Sequence, residues 1–107
     1  MPLFHITLVH DGAHCPGYHP EMQPALLQAL EKREEIAGRY GVKIRTMLNA
    51  APDHVIFVIA EADSPMQLAG CLTELLPFEQ AEIRTHFVIT FEDALEFAKA
   101  RARQAGG

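Results

Sequence analysis

Val55-Ile56-Phe57-Val58-Ile59-Ala60 is apolar at every position. A short run of β-branched and aromatic residues reads as a strand. A strand with one wet face alternates polar and apolar residues, and this one does not. Whatever fold the chain adopts must therefore set this strand centrally and cover both of its faces. At 107 residues the chain holds one core, so a single α+β domain over residues 1–107 is expected.

The rest of the chain supplies the neighbours. Leu3 to His10 alternates, with Phe4, Ile6 and Leu8 on one face and His5, Thr7 and Val9 on the other. A helix then follows Pro20 or Pro24, with Leu26, Leu30, Ala37 and Tyr40 at helical spacing, and Gly41 suits the left-handed position that ends it. In the second strand, Val42, Ile44, Thr46 and Leu48 are expected on one face and Lys43, Arg45, Met47 and Asn49 on the other. Ala50 to Asp53 makes the turn into the third strand, with His54 exposed beside it. Asp63 or Ser64 caps a second helix whose stripe is Leu68, Leu72, Leu75 and Leu76. Arg84 to Phe91 is the fourth strand, and Thr90 with Asp93 opens a last helix with Ala94, Leu95, Ala98 and Ala102 on its apolar side.

This order fits a ferredoxin-like split βαβ arrangement, βαββαβ plus a C-terminal helix, with an antiparallel sheet ordered 4-1-3-2. Both helices then cover one sheet face. The other face still carries half of the third strand's apolar residues, and a chain this short has no further layer for it. A second copy can cover it, which predicts a homodimer.

The net charge of −5 disfavours nucleic acid, and the cationic residues Lys99, Arg101 and Arg103 sit among alanine and acidic neighbours. No apolar run approaches a membrane span, and Met1 to Asp11 does not read as a signal peptide. Two cysteines make no disulfide framework, so a reducing cytoplasm is the expected location.

Phe57-Val58-Ile59-Ala60-Glu61-Ala62-Asp63, a strand running into an acidic helix start, and Ala81-Glu82-Ile83-Arg84-Thr85-His86-Phe87-Val88-Ile89-Thr90-Phe91-Glu92-Asp93-Ala94-Leu95, a strand feeding a capped helix, resemble the dimeric α+β barrel superfamily. Residues 42–98 look most like a family of small bacterial proteins of unknown function within it. The superfamily includes cofactor-independent monooxygenases, isomerases, dehydratases, haem-using enzymes and effector-binding modules. The resemblance therefore implies a dimer and a small-molecule pocket and leaves the chemistry open. Such families often carry proline where this chain has His86, and the loop from Asp11 to His19 is longer and richer in His and Cys than the resemblance implies. The Trp that marks some haem-degrading members has no counterpart here, since the chain contains none.

Candidate chemistry gathers between His10 and Glu21. His10, His14, Cys15 and His19 are donors suited to zinc, copper or nickel, although their spacing matches no standard zinc motif. Cys15 near a helix start, with His14 beside it, is also a candidate nucleophile, whereas Cys71 among leucines reads as packing. Tyr18 and His19 are candidate ligand contacts. A second cluster, His5 and His86, is expected face to face on neighbouring strands, with Arg45 and Asn49 on the same sheet face.

Two readings follow. In the first, a small-molecule-binding and catalytic dimer uses a histidine, His10 foremost, as general acid or base, as an isomerase, lyase or cofactor-independent monooxygenase requires. His10 shares the face of Phe4, Ile6 and Leu8, which turns it towards the helices at the loop end of the strand. In the second, a non-enzymatic protein binds a transition metal or effector through the His10–His19 loop. Neither reading demands a cofactor.

Overall fold

The computed structural model describes residues 1–11, 19–76 and 82–106. The elements run β1 (Leu3–Val9), a 3-10 turn (Pro20–Met22), α1 (Gln23–Glu31), α2 (Arg33–Arg39), β2 (Lys43–Ala50), a 3-10 turn (Ala51–Asp53), β3 (Val55–Glu61), α3 (Pro65–Leu75), β4 (Glu82–Val88) and α4 (Phe91–Gly106). The four strands form one antiparallel sheet in the order β2-β3-β1-β4, the expected 4-1-3-2 read from the other edge. No helix among the described residues is long and apolar enough to cross a membrane.

Period-two alternation sorts the central strands into two faces. Phe4, Ile6 and Leu8 of β1 and Ile56, Val58 and Ala60 of β3 are buried beneath the helices. Leu3, His5, Thr7 and Val9, with Val55, Phe57 and Ile59, point the other way and are only partly buried. α3 completes the core through Leu68, Cys71, Leu72 and Leu75. Its start is fixed by Ser64, whose Oγ accepts from the Gln67 N–H at 3.4 Å while Gln67 Oε1 accepts from the Ser64 N–H at 3.1 Å. Gly70 brings α3 tight against Tyr40, since a Cβ there would stand 2.8 Å from the tyrosine ring. The Tyr40 hydroxyl donates to Glu74 at 2.8 Å, and Arg39 also donates to Glu74.

Three details depart from the sequence reading. The first helix breaks at Lys32 (φ −100°, ψ 16°), where Glu31 to Glu35 offers no apolar side chain to hold the turn on the core. Arg33 Nη1 donates to the Leu30 carbonyl at 2.9 Å at that break. On β2 the register shifts between Ile44 and Thr46, so Arg45 is the extra residue of a bulge. Past it the faces exchange: Met47 and Asn49 join Ile44 on the helix side, while Thr46 and Leu48 join Lys43 on the other. The fourth strand ends at Val88 and not at Phe91, because the Thr90 hydroxyl accepts from the Asp93 N–H at 3.1 Å and starts α4. Gly41 (φ 69°) does occupy the left-handed position after α2.

The helical layer stops short of β4. Ile83 and Phe87 lie on the covered side, opposite Leu8 and Phe4, yet both are exposed. Phe87 meets the Phe4 ring edge-on at 6.0 Å between centroids.

Candidate functional site

The covered face of β1 continues past the strand into His10, the one buried polar residue among those described. It is fixed from across the sheet. Val9 pairs with Val55, and one residue beyond each the His10 N–H donates to the His54 carbonyl at 3.1 Å. His54 reaches this place through a left-handed backbone (φ 56°, ψ 42°) closing the Ala51–Asp53 turn. A non-glycine residue seldom adopts that conformation, and the strain marks a position that its surroundings hold. The two imidazoles pack edge to face, 5.3 Å between centroids with planes at 72°. Burial lowers the His10 pKa below the ordinary value near 6.5, and the His54 ring lowers it further, while Asp11 opposes both. At neutral pH His10 is therefore an uncharged imidazole.

His54 is the residue that sequence reasoning missed. A place beside a turn implies solvent, and the side chain is instead partly buried against His10. The usable signal is the register: a hairpin turn placing Val55 opposite Val9 must set residue 54 beside residue 10.

The remaining candidates fall in several places. His14, Cys15 and Tyr18 lie outside the described residues. His19 precedes the 3-10 turn, with its Nδ1 3.2 Å from Glu21 Oε1 in the same turn. Among the described residues no three His, Cys, Asp or Glu side chains are grouped to hold a metal ion. His5 and His86 are paired across β1 and β4 as expected, on the open face, with His5 partly buried beside Phe57 (6.0 Å between ring centroids) and His86 exposed. Asn49 does not join them, because the bulge turns it to the helix side. Arg45 is engaged elsewhere: its Nε and Nη2 donate to the two Glu61 oxygens, each at 3.1 Å. These hydrogen bonds, aided by the charges of Arg45 and Lys43, hold the Glu61 carboxyl below its usual range against the opposing effect of burial. Cys71 is fully buried, and burial raises its thiol pKa, the opposite of what a nucleophile needs.

A groove of about 540 Å³ lies between α2 and β2, lined among others by Arg33, Ala37, Val42, Lys43 and Met47. Lys43 is level with Glu61 and Leu3, so this groove is at the end of the sheet remote from His10 and His54.

No protein-family model matches the chain, and no curated protein matches it. Among solved structures, the crystal structure of protein Atu4242 from Agrobacterium tumefaciens, a structural-genomics target, aligns over 83% of this chain and 95% of its own, with 16% identity and a TM-score of 0.45.

Proposed function

We propose that the chain works as a homodimeric small-molecule-binding protein in which His10, set against His54, exchanges a proton with an organic ligand. The observation that carries this reading is the His10–His54 pair. Two imidazoles distant in sequence are held together at the loop end of the covered face, one of them buried and neutral at physiological pH. A neutral imidazole accepts a proton from an acidic C–H or O–H, and an adjacent second ring helps to relay it. Isomerisation, lyase-type elimination and cofactor-independent oxygenation all begin with such a transfer. The ligand class is accordingly an enolisable or phenolic acid.

The homodimer rests on the open sheet face. Leu3, Val9, Leu48, Phe57 and Ile59 form an apolar surface that the chain's own helices leave uncovered. Packing the same surface of a second copy against it satisfies the burial demand of β3 without any new element.

The test is an NMR titration following the ring protons of His10 and His54 while small keto acids and phenols are added singly. At least one compound class is expected to shift both rings, and His10→Phe should abolish its binding. Compounds that bind while moving only signals around Lys43 and Met47 would place the site in the α2–β2 groove and end this reading.

A further inference from the structure

α4 is a 16-residue helix with no buried residue, and Phe91, Leu95 and Phe97 are 91%, 54% and 61% exposed. The chain measures 63 Å along its longest axis and has a radius of gyration of 17.0 Å, where a compact chain of this length has about 13 Å. A capped, amphipathic helix whose apolar residues all meet solvent has a missing partner.

The sequence of α4 is matched to itself reversed. Phe91, Ala94, Leu95, Ala98, Ala102 and Ala105 form one apolar row, with its large side chains at the start and only alanine at the end. Beside it, Glu92, Glu96, Lys99 and Arg103 fall at i, i+4, i+7 and i+11, a second row that is acidic first and basic last. A parallel pair would set like charges and large side chains level with each other. An antiparallel pair about a twofold between Phe97 and Ala98 sets Glu92 against the partner's Arg103 and Glu96 against the partner's Lys99. The same register lays Phe91 and Leu95 over the alanine end of the other helix, and the two Ala98 residues allow close approach at the centre. Phe97 stands to one side, where the Arg101 guanidinium lies 6.0 Å from its ring centre.

We propose that α4 is a self-association element that pairs antiparallel with α4 of a second copy of this chain. The contact is isologous, so one helix supplies both halves of every charge pair. It uses a surface separate from the open sheet face and does not depend on that face being an interface.

Charge-swapped mixing of the full chain tests it. One variant carries Glu92→Lys and Glu96→Lys, making the row wholly basic; the other carries Lys99→Glu and Arg103→Glu, making it wholly acidic. Both are prepared with Ile59→Lys, which removes any sheet-face contact, and without it. In sedimentation velocity at low salt each variant alone should self-associate about tenfold or more weakly than its parent, since four cross-helix charge pairs become repulsive. Native mass spectrometry of the mixture should show mixed dimers well above the binomial share. A binomial mixture, or association unchanged by either swap, overturns the proposal and is the result expected if α4 folds onto its own chain instead. If Ile59→Lys leaves association intact while mixed dimers are still favoured, the sheet-face dimer fails and the α4 pairing stands. Should Ile59→Lys disturb folding by circular dichroism, the mixture without it gives the same readout.

Discussion

The two faces of the sheet each present a pair of histidines, and the pairs differ in what lies above them. On the helix side, His10 and His54 close a layer that includes Ile6, Val58, Leu68 and Leu75, all fully buried. On the other side, His5 and His86 stand directly opposite one another across two strands, with one ring partly buried and the other exposed. Residue type and pairing are alike. Cover is what differs, and it is cover that holds the His10 pKa down. Among the described residues, burial of a histidine is found only on the helix side, where the Ala51–Asp53 turn sets His54 against His10.

The comparison can be strained in order of expected effect. Leu72→Ala empties part of the covered core and should cost about 2–5 kcal/mol, while Leu48→Ala on the open face should stay within about 1 kcal/mol for the isolated chain, both measured by urea unfolding. Equal losses would mean that the faces are not unequal in packing. If the open sheet face pairs as proposed, Ile59→Lys should abolish that contact in sedimentation experiments with the fold kept, leaving only association through α4, because a lysine facing solvent is tolerated whereas one pressed against a second apolar sheet is not.

The third test concerns pH. The native-state pKa of His10 is depressed, so as pH falls through about 6.5 the unfolded chain takes up a proton that the folded chain resists. Stability is full above that value and declines on acidification, by at most about 1.4 kcal/mol per pH unit, until pH passes below the native pKa. His10→Phe should remove this part of the acid sensitivity, and His54→Ala should reduce it by relieving one of its causes; urea midpoints at neutral and mildly acidic pH report both. The smallest effect is expected at Glu61. Its carboxyl is depressed by Arg45, so the contribution is present above the ordinary carboxylate pKa and lost as pH falls through the native value. Being a surface pair screened by solvent, it should contribute little, and Glu61→Gln should flatten the acid limb of the stability curve only slightly.

Much of the architecture is legible in the residues themselves. The doubly apolar run Val55–Ala60 demands a central strand, alternation places Ile6 and His10 on one face, and Ser64-Pro65 and Gly41 mark helix ends through local chemistry. The candidate site is half legible. His10 can be found because its periodicity carries beyond the strand. His54 cannot, because a turn residue has no periodicity and its left-handed backbone is imposed by the pairing of Val55 with Val9.

Sequence by itself determined the order of elements, the strand order and which histidine faces the helices, because alternation, capping and short connections act within a few residues. Tertiary structure alone decided the rest. Matching β2 to β3 placed the bulge at Arg45 and so moved Met47 and Asn49 to the helix side. The reach of α3 left Ile83 and Phe87 of β4 uncovered, and α4 stayed clear of the core. These outcomes depend on how distant segments fill space against one another, which no window of local sequence records.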